Sequence, residues 1–251
     1  MYVYACVKRV PMTGGAITLT DDQRAIETKH LGFTVSPHEE CAVEEAVQIA
    51  EREGGAVTVL TLGPPESEEQ LRDMMAIGAD RAVHLVTDGE EWDPQATAAA
   101  IVAAIRADPD QPDLILFGNE SADAGNYQVA VRVAHALGLP CVTGVKAISL
   151  TGGRARCEQE VPGGRDVYDA PLPAVIAVKE GINLPRYPSV PGRLRAKRKP
   201  LQASSPERPS ARLELSRLEL PPDSGKQVKI LGRGAQAAPA VVEILEELGV
   251  L

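Results

Sequence analysis

Gly118-Asn119-Glu120-Ser121-Ala122-Asp123-Ala124-Gly125-Asn126-Tyr127-Gln128 is rich in small and polar residues. It joins a run of apolar residues, Leu114 to Gly118, to a helical pattern through Val129, Val133 and Leu137. Small side chains let a backbone come close to a ligand, and the N–H groups at the start of a helix favour an anion such as phosphate. The same composition also suits an ordinary turn. Ser121, Asp123 and His135 contain the residue types of a nucleophilic triad, but His135 falls within the apolar helix pattern. Glu44-Glu45 is a pair of carboxylates, yet adjacent helix positions point apart and do not share a site. Cys6, Cys41, Cys141 and Cys157 show no CxxC spacing and form no ligand pairs with the histidines, so they read as reduced structural thiols with no metal. The chain has the makings of a binder and not of a catalyst.

A second feature is Val178 to Pro200, VKEGINLPRYPSVPGRLRAKRKP. Between Arg186 and Pro200 there are six Lys or Arg and no Asp or Glu, in a chain of formal charge −9. Pro185, Pro188 and Pro191 predict a stiff extended loop, with Val190 as the only aliphatic residue at its tip. A solvated basic loop is the plain alternative.

The elements that must position these features alternate. Strand patterns at Tyr2–Val7, Ala56–Leu62, Arg81–Val86 and Leu114–Gly118 are separated by helical ones. Ser36-Pro37-His38-Glu39 has the form of a capping box, and Ser67-Glu68-Glu69-Gln70 reads as another. Asp93-Pro94 opens a third helix. Alternation of this kind predicts right-handed βαβ crossovers, a doubly wound parallel α/β sheet, and ligands outside the carboxyl ends of the strands. Lys146–Leu150 and Arg154–Val161 around Gly152-Gly153 read as a β-hairpin excursion before a strand at Ala174–Val178. Residues 201–251 read as an extended C-terminal arm and terminal helix, Pro239–Leu248, that contact a partner subunit, with a short strand at Val228–Leu231. Gly232-Arg233-Gly234-Ala235-Gln236-Ala237 fits a dinucleotide fingerprint, but only 14 residues follow it, so it reads as a tight turn.

At 251 residues and 44% hydrophobic content the chain can bury a sizeable core. Its acidic balance argues against nucleic acid. No apolar stretch is long enough to span a bilayer, and the N-terminus has no basic region of the secretory type, so a cytoplasmic protein is expected.

The order of residues in Val178–Pro200 resembles the electron transfer flavoprotein β-subunit family, in which a strand ending in V-K is followed by L-P-R-Y-P-S-L-P-G and A-K-K-K-P. Val7-Lys8-Arg9-Val10-Pro11 is similar to the family's opening V-K-x-V-P, whose backbone reaches an adenine. Cys41–Ala46, Thr61–Pro64 and Ala76–Ala82 resemble further family segments. Together the likeness covers about residues 1–200, read as a nucleotide-binding domain with a recognition loop at 184–199.

The resemblance implies an FAD held mainly by a separate α-subunit, at the interface, and a nucleotide in this chain: structural AMP as in the simple carriers, or a second, redox-active FAD as in the bifurcating members. The cofactor-binding residues it implies are Cys6, Val7, Lys8, Ser36, Leu62, Gly118, Asp123, Gly125, Asn126, Tyr127, Gln128 and Val129. Asp123 and Gln128 match both nucleotide patterns and Val129 the bifurcating one only. Ser36 replaces the usual Asn, and Asn126-Tyr127 matches neither pattern. Thr13 stands where some relatives carry a flavin-facing Tyr, so that contact is not transferred. The implied docking residues are Arg186, Tyr187, Val190 and Pro191. The implied partners are the α-subunit, acyl-CoA or related flavin dehydrogenases of fatty acid oxidation, and a downstream quinone oxidoreductase. A stand-alone adenine-nucleotide-binding module stays open on the α/β pattern alone.

Overall fold

The computed structural model describes residues 1–14, 17–222 and 230–250. Its centre is a nine-stranded sheet. In chain order the strands are β1 (Tyr2–Cys6), β4 (Ala56–Gly63), β5 (Arg81–Val86), β6 (Leu114–Gly118), β7 (Cys141–Thr151), β8 (Arg154–Val161), β9 (Gly164–Pro171), β10 (Ala174–Val178) and β11 (Leu201–Ser204). A separate two-stranded antiparallel sheet pairs β2 (Arg9–Pro11) with β3 (Phe33–Val35). The helices are α1 (Pro37–Glu53), α2 (Glu68–Ile77), α3 (Pro94–Ala107), α4 (Val129–Leu137), α5 (Val190–Ala196) and α6 (Ala238–Glu247).

The strand order is β11-β5-β4-β1-β6-β10-β7-β8-β9, parallel from β11 to β7 and antiparallel beyond. The period-2 geometry of a strand divides the apolar residues between two faces. Val3, Ala5, Leu114, Leu116 and Ile176 join the core beneath α1 and α2. Tyr4, Cys6, Ile115, Phe117 and Val175 join the opposite core, with α3 and α4. Burial on both faces explains why these strands are apolar without interruption. The chain runs outward from β1 through β4 to β5, then returns to β6 on the other side of β1. That reversal opens a crevice at the carboxyl ends of β1 and β6.

The doubly wound α/β reading is therefore what the structure has, with several local corrections. The hairpin at Gly152-Gly153 is present, both glycines at positive φ, with Thr151 opposite Arg154. It gains an unexpected third strand, β9, almost wholly exposed. Ser67 is not a cap: Pro65–Ser67 is a 3-10 turn, Ser67 is helical in backbone, and its hydroxyl is buried against Gly63. Glu39 does reach back to the Ser36 N–H, as a capping box requires. Asp93 caps α3 through the Ala96 N–H at 2.7 Å.

The largest correction concerns 190–196. The prolines do not keep this stretch extended; it folds as α5. Ser189 caps it by accepting the Gly192 N–H at 3.1 Å, and Pro191 falls in the first turn, where its missing N–H is not needed. Beyond Pro200 the chain adds edge strand β11 alongside β5 before any extended stretch begins. Residues 205–222 then carry no helix or strand and run back over the body: Arg208 reaches Glu90, and the Arg212 and Leu213 N–H groups donate to Asp93. The possible strand at Val228–Leu231 begins outside the described residues, and Ile230 and Leu231 lie in no strand. Gly234–Ala237 is a 3-10 turn leading into α6, as a tight turn should be.

Candidate functional site

The crevice beside β1 and β6 is walled by the first turn of α1 and by the 118–128 loop. Pro37, His38, Glu120, Ser121, Asp123, Gly125 and Glu180 line a cleft of about 340 Å³. Gly118 makes the wall possible. A β-carbon there would lie 2.6 Å from Glu39 Cγ and 2.9 Å from the Glu39 nitrogen, so only glycine lets α1 come this close. Gly125 and Tyr127 both hold positive φ, 53° and 54°, so the loop coils tightly, with the Gly125 N–H donating to the Ser121 carbonyl at 3.1 Å. Glycine adopts that backbone freely; Tyr127 does so under strain.

Lys8 ties this loop to β1. Its Nζ lies 2.7 Å from Asp123 and 2.6 Å from Glu91. Burial opposes the Lys8 charge, but Glu91 and Asp123 outweigh it and raise its pKa above the usual lysine value. Burial likewise works against the Asp123 carboxylate, yet Lys8, the Ser121 hydroxyl and the Ala124 N–H hold its pKa below the usual range. Both groups therefore stay charged in a half-dry setting. The Lys8 N–H donates to Glu39 at 3.1 Å, and the Ser36 hydroxyl donates to the same carboxylate at 2.7 Å. Burial dominates there and pushes Glu39 up to about 7 despite those donors. His38 Nδ1 accepts the Glu180 N–H at 2.8 Å, which puts the ring proton of the neutral form on Nε2, 3.4 Å from Glu120.

Of the residues expected to bind a cofactor, Val7, Lys8, Ser36, Gly118, Asp123 and Gly125 gather around this crevice, with Cys6 ending β1 beneath it. Leu62 sits one strand away on β4, whose Thr61 hydroxyl donates to the Val7 carbonyl at 2.7 Å. Asn126, Tyr127, Gln128 and Val129 occupy the outer end of the loop and the start of α4. Gln128 turns toward its own helix, where it accepts from Arg132 at 2.8 Å. Glu39, His38, Glu91, Glu120 and Glu180 were not expected. Glu39 is visible in the sequence as a capping residue and Glu120 as part of the 118–128 loop, while His38, Glu91 and Glu180 carry no functional signal of their own.

The second region lies along α1, away from the cleft. Tyr187 is 96% exposed and Val190 74%, with Leu184 and Leu194 also exposed. Arg186 is different: its guanidinium is bound to Glu44 and Glu51 of α1. The basic tract is thinner than its composition implies. Arg193 pairs with Asp73, and Lys199 Nζ caps the end of α2 through the Met75 and Ala79 carbonyls, at 3.0 and 2.6 Å. Arg72 of α2 returns the contact, donating to the Ala196 and Lys199 carbonyls at 2.9 Å each. The two helices cap each other. Gly192 fits directly on α2, since a β-carbon there would lie 2.8 Å from the Ala76 carbonyl.

Among the described residues no helix is long and apolar enough to cross a membrane. All four cysteines are free.

Comparison with known proteins agrees with this architecture. The model of the electron transfer flavoprotein domain matches residues 24–208. The electron transfer flavoprotein subunit beta of Syntrophomonas wolfei is 36% identical over 230 residues, covering 91% of this chain and 89% of that one. The subunit of the same name from Bacillus subtilis is 32% identical over 238 residues, covering 90% and 93%. That from Mycobacterium tuberculosis is 37% identical over 202 residues, covering 78% and 76%.

Proposed function

The chain belongs to the electron transfer flavoprotein β-subunit family, and on that footing we propose that it is the nucleotide-holding, partner-docking half of an electron carrier. In this reading it pairs with an α-subunit that holds most of the redox FAD, and this chain walls one side of that flavin. The flavin supplies reversible electron acceptance; the protein supplies binding and orientation. The carrier takes electrons from acyl-CoA or related flavin dehydrogenases and passes them to a quinone oxidoreductase. It catalyses no bond change of its own, and it works in the cytoplasm.

The observation that carries the reading is the cleft at the sheet's reversal point. Its about 340 Å³ is near the lower end of small-ligand pockets, roughly 300–1,000 Å³. That size favours a mononucleotide, AMP, over a second FAD. The donor set suits such a ligand. Glu120, Asp123 and Glu180 can accept from ribose hydroxyls or an adenine amino group. The first N–H groups of α4, at the outer end of the loop, offer positive charge to a phosphate, while Lys8 neutralises Asp123. Gly125 leaves the loop surface without a side chain where a ligand would lie. The nucleotide's role here is structural: it closes the 118–128 loop against α1.

Denaturing the purified heterodimer and separating the released nucleotides tests this. One FAD and one AMP per heterodimer is the expected result. Two FAD and no AMP would identify a bifurcating subunit. A stable lone chain retaining stoichiometric FAD would overturn the division of labour.

A further inference from the structure

Tyr187 and Val190 project into solvent, yet the backbone that presents them is fixed at both ends. On one side Ser189 starts α5, which Gly192, Arg72 and Lys199 hold to α2. On the other side is Arg186, and what holds it is a carboxylate only 2% exposed, Glu44.

Resting on the docking reading above, we propose that Glu44 is a positioning residue for the recognition of electron-donating dehydrogenases. Its carboxylate accepts from the Arg186 backbone N–H at 3.1 Å, from Nε at 3.0 Å and from Nη2 at 3.0 Å. Gln48, one turn on, donates to it at 2.7 Å and fixes its rotamer. The backbone bond matters most. It fixes the Pro185–Arg186 peptide plane by which the chain enters Arg186, and with the guanidinium held as well, it anchors the residue from which Tyr187-Pro188 is presented. Glu51 takes the remaining fork of the guanidinium at 2.7 and 3.0 Å, but it lies in solvent and touches only the side chain.

Glu45 supports the same segment. It accepts from Asn183 at 3.0 Å, while Asn183 also donates to the Cys41 carbonyl at 3.1 Å. Consecutive carboxylates on α1 therefore hold residues three apart in the docking segment. Stability alone gives no reason to bury an ion pair, because its desolvation can cancel the attraction. The planar fork of arginine and the backbone N–H instead fix a geometry. A segment held in its binding conformation loses less freedom on association.

The test uses the heterodimer with its α-subunit and an acyl-CoA dehydrogenase reduced by its own substrate. Glu44→Gln should raise the carrier concentration for half-maximal reduction about tenfold, leaving the limiting rate and FAD content unchanged. Hydrogen exchange should show the Arg186 amide released in the same variant. Glu51→Gln should shift half-saturation much less and leave that amide protected. Because Glu44 is buried, Arg186→Lys is the companion variant; it keeps a cation while losing the fork, and should also raise half-saturation. Val190→Asp separates the two ideas. Slowed transfer in Val190→Asp with normal half-saturation and a protected amide in Glu44→Gln overturns the role of Glu44 alone. No effect in either variant overturns the docking reading and the role of Glu44 with it.

Discussion

Around the cleft, polar groups pair directly along its wall, Lys8 with Asp123 and Glu91, while His38 and Glu120 stand 3.4 Å apart on its lining. Along the docking segment Arg186 turns in to Glu44 and Lys199 to the end of α2, while Arg195, Lys197 and Arg198 stay exposed beside Tyr187 and Val190. The cleft keeps polar groups where a small polar ligand could exchange partners with them. The docking segment uses Arg186 and Lys199 to hold shape and presents apolar Tyr187 and Val190 beside exposed cations. Charge in one sequence thus serves two purposes, and burial and direction decide which.

The sharpest way to break the cleft and spare the docking segment is Gly118→Val. Its side chain would overlap the backbone of α1, and overpacking of that kind costs on the order of 3 kcal/mol. Denaturant unfolding should show the loss, and the purified complex should have lost its nucleotide. An unchanged midpoint would mean that α1 can move away from the loop.

Glu39→Gln gives a subtler separation. The folded-state value of Glu39, about 7, lies above its ordinary 4.5. Between those two values the folded chain holds a proton that the unfolded chain has released. Wild-type stability should therefore fall from this group as pH rises from about 4.5 through 7, by up to about 3 kcal/mol at 1.36 kcal/mol per unit. Unfolding curves of the two proteins at pH 5 and pH 8 should diverge, with Glu39→Gln the less pH-sensitive. Parallel curves would count against a buried, ionising Glu39.

Val190→Asp strikes only the docking side. Reduction by a cognate dehydrogenase should slow at least about tenfold, equivalent to roughly 1.4 kcal/mol. Nucleotide and FAD content should hold, because the side chain touches no core. Stopped-flow reduction measures the rate directly, and an unchanged rate would remove Val190 from recognition.

The smallest effect is expected from Arg193→Ala. Its partner Asp73 is exposed, and such pairs contribute less than about 1 kcal/mol. Thermal unfolding and transfer rate should both stay close to wild type. A large loss of transfer would show that the basic tract steers a partner despite its internal pairing.

The parallel sheet was legible because both-face burial writes continuous apolar runs, and those runs are read without knowing their neighbours. β9 was not, since a strand with nearly every residue exposed has no apolar pattern to show. α5 was hidden by Pro191 and the prolines before it, since proline stops a helix from within but suits its first turn. At the site, Gly118 and Asp123 were legible as a small-residue loop after a strand. The Lys8–Asp123 and Glu44–Arg186 pairs were not, since only the fold brings such distant positions together. Ser67 misled because a cap and a 3-10 turn share the same sequence signs.

Helix α1 makes the two regions hard to exchange independently. Its first turn supplies Ser36, His38 and Glu39 to the cleft, and later turns supply Glu44, Glu45 and Glu51 to the docking segment. Transplanting residues 184–199 from another carrier, to redirect this one toward a new dehydrogenase, would import an arginine without its seat. The smallest portable unit is the loop together with the matching face of α1, and a chimera drawn along those lines is the one that should retarget the protein without emptying its cleft.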